Sequence, residues 1–206
     1  RHVSRLLHDD PHASKPMVRA RRTPFGDVLQ VMVFAPEQPD LFARICAYFD
    51  RAGFSILDAR VHTTKHGQAL DTFEVTSTQL VDQHREFIGM IEADLHTQLL
   101  QRTPLPEPQL GRLSRRVRSF PVTPRVTLRP DEKAQNWLLT ISTSDRTGLL
   151  YGVARTLALH KISVELSKIT TLGERVEDTF LVRGERLADH KSRIALETDL
   201  LEVLED

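Results

Sequence analysis

One cysteine, Cys46, stands in 206 residues, so no internal disulfide can form and the chain fits a reducing compartment. Charge of one sign is missing too: 28 Lys+Arg balance 28 Asp+Glu. No overall field therefore directs the chain to nucleic acid or to an anionic membrane. No apolar run approaches the roughly 18–20 residues of a membrane span, and no secretory leader pattern is present. The nine glycines include none at P-loop or dinucleotide spacing, which removes two common phosphate cradles. Serine or cysteine nucleophiles with a nearby base do not stand out either. No catalytic residue, metal or other cofactor is expected in this stretch. With 40% hydrophobic and 27% charged residues, a soluble globular protein in the cytoplasm is expected. The chain opens at Arg1 rather than Met, as a piece of something longer would.

What is present is a repeat. Leu138–Val182 reads as strand, Asp-Arg-Thr-Gly turn, amphipathic helix and two further strands, and Leu29–Val75 is a diluted copy. A shift of 108 positions (149 − 41) lays Leu41 on Leu149, Phe42 on Leu150, Ile45 on Val153, Phe49 on Leu157 and Ser55 on Ser163. After a slip of one residue in the turn, Asp71-Thr72-Phe73 meets Asp178-Thr179-Phe180. A repeat of this length predicts two structural units of one kind.

The boundaries follow from composition. Residues 1–15 read as the tail of a preceding element, 16–102 as the first unit, 103–121 as a linker and 122–206 as the second unit. His8-Asp9 has two readings, a fragment of a metal site or a solvated tail, and no other ligands accompany it. In the first unit, strands over 17–21 and 28–35 form a hairpin, and Phe42, Ile45, Cys46 and Phe49 make one buried helical stripe closed by Gly53. Strands over 55–64 and 68–76 and a helix over 80–100, inward at Phe87, Ile91, Leu95 and Leu99, complete it. Thr103-Pro-Leu-Pro-Glu-Pro108 cannot continue that helix. Beyond it, Arg112, Arg115, Arg116 and Arg118 form a basic cluster, read either as a solvated linker or as a contact for an acidic partner.

The second unit repeats the plan: strands over 123–129 and 137–143, a helix over 148–160, strands over 162–170 and 177–183, and a helix over 188–204 with Ile194, Leu201 and Leu204 inward. Each unit is β-β-α-β-β-α. A ferredoxin-like sandwich has its last strand antiparallel to its first, and a leading hairpin strand can fill that edge. The expected class is α+β: two ferredoxin-like units, each an antiparallel sheet with helices on one face.

Chemistry concentrates before the first helix of each unit. Glu37 and Asp145 precede it, and the backbone N–H groups of the helix start open on the same corner. Free donors and partial positive charge there suit a carboxylate, and an acid nearby suits an ammonium group. A free α-amino acid carries both. The other reading makes Asp145 simply the helix cap. Candidate ligand-binding residues are Glu37, Gln38, Asp40 and Leu41 in the first unit, with Thr143, Ser144, Asp145, Arg146, Gly148 and Leu149 in the second.

The motif Asp145-Arg-Thr-Gly-Leu-Leu150, with Ile169–Phe180 downstream, resembles the ACT domain family. Leu41–Ile45, Leu57–Thr64 and Leu172–Phe180 together resemble the tandem ACT tail of the bacterial enzymes that uridylylate and deuridylylate the PII nitrogen-signalling protein. That resemblance, over about residues 25–206, implies a regulatory module that binds glutamine and acts on PII and on the parent's catalytic domains. It also implies magnesium chemistry in those domains. The β-edges and loop surfaces of the duplicated units predict that they pair with each other, with a homodimer an open further form. Thr147 stands where the family turn usually has Pro, and Asp40 where it usually has Gly. A ligand-free interaction module that docks PII or the catalytic domains is the alternative.

Overall fold

The structure is a computed structural model that describes residues 15–24, 28–64, 67–77, 84–108, 111, 122–132, 135–169, 171–172 and 175–205. His8-Asp9 and the Arg112–Arg118 cluster lie outside the described residues. The first unit runs β1 (Met17–Arg22), β2 (Val28–Pro36), α1 (Leu41–Arg51), β3 (Ser55–Arg60), β4 (Gln68–Thr76) and α2 (His84–Gln101). The second runs β5 (Arg125–Pro130), β6 (Trp137–Ser144), α3 (Leu149–Leu159), β7 (Ser163–Lys168), β8 (Thr171–Leu172), β9 (Arg175–Arg183), a 3-10 turn over Glu185–Ala188 and α4 (His190–Glu205).

Both sheets are antiparallel and ordered alike, β1-β2-β4-β3 and β5-β6-β9-β7, with the short β8 paired to β9. The leading hairpin strand occupies the edge that a final strand takes in a ferredoxin-like sandwich, and its partner pairs onward with β4, Val31 opposite Phe73. Period-2 alternation then puts Leu29, Val31 and Val33 of β2 with Phe73 and Val75 of β4 in the core.

The edges β3 and β7 meet. The Ser167 hydroxyl donates to the Ala59 carbonyl at 3.0 Å, and an isolated bridge joins His62 to Leu166. Above this seam α1 packs on α3, and Phe42 stacks on Phe73 at 6.0 Å while meeting Phe180 of the other unit edge-on at 6.2 Å. One hydrophobic core spans both units. α1 is accordingly buried all round, from Leu41 to Phe49, rather than along one stripe. Its Arg44 survives burial because Asp40 holds it at 2.6 Å and the Thr103 carbonyl accepts from it at 2.6 Å.

Two readings of the sequence need correction. α4 buries Leu196, Leu200 and Leu204, whereas Leu201 is only partly buried and Ile194 is half exposed. The 3-10 turn, plugged into the core by Leu187, delays the start of α4 to His190 and sets its face. Arg193 then lies over Trp137 on the outer side, 4.7 Å from the ring centre. The second correction is that Asp145 does not cap α3. The cap position is Gly148, with φ 79° and no side-chain cap bond.

Candidate ligand-binding site

The loop between β6 and α3 has a glycine at its last position because the backbone turns there through the left-handed region, which an L side chain resists. Its counterpart Asp40 sits at φ −105°, so the two loops differ in shape. Past Gly148, the first backbone helical bond runs from the Gly152 N–H to the Gly148 carbonyl at 2.9 Å. The N–H groups of Leu149, Leu150 and Tyr151 therefore precede the α3 ladder, and Leu149 alone makes a longer turn bond, 3.3 Å to Arg146.

These groups border a cavity of about 140 Å³ between the units. The second unit lines it with Asp145–Tyr151, Ile169, Val176 and Asp178, and the first with Cys46, Asp50 and Phe54–Leu57. One water needs roughly 10–15 Å³ on this measure, so a small amino acid is a fitting occupant. At the wall, β3 carries a bulge: Ile56 faces Val75 and Asp58 faces Glu74, leaving Leu57 as the extra residue on the strand edge. Asp145 stands exposed at the rim, yet the surrounding walls desolvate its carboxyl and raise its pKa, opposed by the Arg146 backbone N–H. Cys46 is fully buried and burial pushes its thiol pKa well up, so it serves as wall rather than nucleophile.

The first unit has a matching hollow. Subtracting 108 turns Leu149, Ile169 and Val164 into Leu41, Val61 and Ile56; each cavity joins one unit's loop and helix to the other unit's edge strand. This second hollow holds about 10 Å³. The repeat has thus produced two corners, one open and one nearly closed.

The candidate residues divide between them. Asp145, Arg146, Gly148 and Leu149 line the large cavity; Glu37, Gln38 and Leu41 line the small one. Asp40 is engaged by Arg44 (2.8 Å to Nε) and borders neither. Thr143 and Ser144 are buried beside the loop, where the Ser144 hydroxyl accepts the Val122 N–H at 3.1 Å. Arg146 is buried and donates to the Val203 carbonyl, tying the loop to the end of α4. Sequence reasoning passed over Asp178, Asp50 and Tyr151. The signal for Asp178 was present: it occupies the core-facing phase of Val176-x-Asp-x-Phe180-x-Val182, where an acid is costly to bury.

The segment after α2 is tied to the helices and the loop that border this cavity. Thr103 takes the bond from Arg44, Tyr151 Oη donates to the Pro106 carbonyl at 2.5 Å, Arg155 pairs with Glu107, and the Gly111 N–H donates to the Thr147 carbonyl at 2.9 Å. Leu105 packs against the core. The described part of the linker is therefore a strap tied to both helices and to the loop. Burial raises the Tyr151 phenol to about 12, which keeps it a donor.

No protein-family model matches the chain. Curated relatives do: a bifunctional uridylyltransferase/uridylyl-removing enzyme from Cupriavidus pinatubonensis is 54% identical over 207 residues, covering 98% of this chain and 24% of that protein. Enzymes of the same name from Ralstonia nicotianae and Burkholderia vietnamiensis are 55% and 52% identical over 98% of the chain. The chain aligns over nearly its whole length with a segment of these enzymes. It spans about a quarter of the length of the relatives it matches, 24% in the first. Among solved structures, an aspartate kinase from Synechocystis aligns with a TM-score of 0.46 at 16% identity, covering 87% of this chain and 27% of that one. Among the described residues no helix is long and apolar enough to cross a membrane.

Proposed function

We propose that this tandem ACT segment is a regulatory module that binds one free amino acid, glutamine, in the cavity between its units. The observation that carries this reading is the 140 Å³ cavity itself, closed on one side by a glycine-turned helix start and on the other by a bulged strand edge. A ligand carboxylate would meet the N–H groups at the start of α3, and its ammonium group would meet Asp145 or Asp178. Among the described lining residues, three aspartates, Asp50, Asp145 and Asp178, stand against one cation, Arg146, which already serves Val203. That balance favours a neutral amide over a second carboxylate at the side-chain end, hence glutamine over glutamate.

Occupancy would favour one packing of the two units. The bias would pass to the catalytic domains of the uridylyltransferase/uridylyl-removing enzyme and so to uridylylation of the PII protein, as a shift between existing states. The catalytic residues and any magnesium would then belong to the parent's other domains. Isothermal titration with glutamine and glutamate, on the wild-type chain and on Asp145→Ala, tests the site. Glutamine should bind at least about tenfold tighter, a difference of about 1.4 kcal/mol, and Asp145→Ala should weaken it. Absence of binding by either amino acid would leave the interaction-module reading in its place.

A further inference from the structure

The small hollow in the first unit is too small for an amino acid. It is about the size of one water molecule and is lined by two acids, Glu37 and Asp71. Asp71 is 1% exposed, and its Oδ1 has no hydrogen-bond partner. Its carboxyl is otherwise held by the His62 backbone N–H, and Glu37 accepts from the Thr63 hydroxyl at 2.9 Å. We propose that this hollow is a monovalent-cation site, in which an ion of water's size, potassium or ammonium, sits between Glu37 and Asp71.

Two carboxyls this close and this dry cannot both stay ionised without a positive partner. No Lys, Arg or His is among the described lining residues, and Arg183, whose charge acts on Glu37, is paired with Glu165 at 2.9 Å. Cys46, from α1, feels Asp71 but keeps its proton. The positive partner is therefore a proton or a small cation. Carboxylate, hydroxyl and carbonyl oxygens suit hard cations. A hollow of one water's volume has no room for the waters that a divalent ion keeps beside one or two carboxylates, and no cluster of three or more metal-ligating side chains occurs among the described residues. Exchanging the Asp71 proton for a monovalent ion leaves the charge of the hollow unchanged.

Proton and cation thus compete, and burial with the nearby Glu37 raises the Asp71 carboxyl to about 8. Cation binding should release a proton and strengthen as pH rises toward that value.

The test is the melting temperature of the whole chain at equal concentrations of potassium, ammonium, sodium and tetramethylammonium chloride, at pH about 6 and about 8.5. Tetramethylammonium is too large to enter and sets the baseline. Potassium or ammonium should raise the melting temperature by about 2–4 °C over that baseline at the higher pH, and by less at the lower. Asp71→Asn and Glu37→Gln should each abolish the difference; the second alters a half-buried residue and guards against a folding defect in the first. Equal melting temperatures in all four salts, a rise with sodium alone, or a rise that survives in both variants would overturn the proposal.

Discussion

Two aspartates related by the repeat, Asp71 and Asp178, sit on the core faces of equivalent strands and have different surroundings. Asp178 borders a cavity of about 140 Å³; Asp71 borders one of about 10 Å³, and its carboxyl is raised to about 8. The sign of the consequence is fixed. As pH rises from the ordinary carboxylate range, the unfolded chain gives up its proton first, so Asp71 withdraws stability until pH passes about 8. Glu37, raised chiefly by burial, acts in the same direction. In tetramethylammonium buffer, denaturant unfolding between pH about 5 and about 8 should show stability falling by up to ~1.4 kcal/mol per pH unit from this group. Asp71→Asn should flatten that slope, and parallel slopes would show that the carboxyl is not held protonated. Asp145 is a different case. Because Gly148 rather than Asp145 stands at the cap position, Asp145→Ala should change stability by less than about 0.5 kcal/mol. Its effect should appear in glutamine affinity, which Glu37→Ala leaves nearly intact.

At the scale of elements, alternation and helical spacing located individual strands and helices well, because both report burial on one face. β4 over 68–76 and the inward Ile91, Leu95 and Leu99 of α2 were legible that way. Where an element is buried on several sides, or its start is set by a distant contact, periodicity says less. α1 is enclosed by a sheet, by α2 and by α3, and α4 takes its phase from the turn at Leu187. The loop corners could be found from their acids and their glycine. The walls supplied by the other unit, Ser55–Leu57 and Asp50, could not, since nothing local marks which edge a second unit will face. The strap was hidden for a related reason: three prolines announce the end of a helix and not where the chain goes next. Its contact with the cavity loop is tight, since a Cβ on Gly111 would lie 2.9 Å from Thr147 Cβ. Gly111→Ala should push Thr147 and the loop aside, weakening glutamine binding several-fold while costing about 1–3 kcal/mol of stability. Tyr151→Phe removes the bond to Pro106 and should cost about 0.5–1.5 kcal/mol. Denaturation curves read beside calorimetric titrations would separate the two effects.

For the molecule as a whole, the duplication matters more than either unit. A shared core, the Phe42–Phe180 contact and the β3–β7 seam bring one unit's loop to the other unit's edge. Phe42→Ala should cost about 3–5 kcal/mol, since it empties the point where both cores meet. NMR relaxation should give one correlation time for residues 25–101 and 122–206; independent tumbling would remove the walls that the cavity depends on. The two pseudo-equivalent corners also predict a stoichiometry, because an amino acid can enter the open one and not the closed one. Calorimetric titration of the chain with glutamine measures this most directly. One glutamine per chain is expected, bound at least about tenfold more tightly than glutamate and weakened in Asp145→Ala. Two equivalent sites, or equal affinity for the two amino acids, would contradict it.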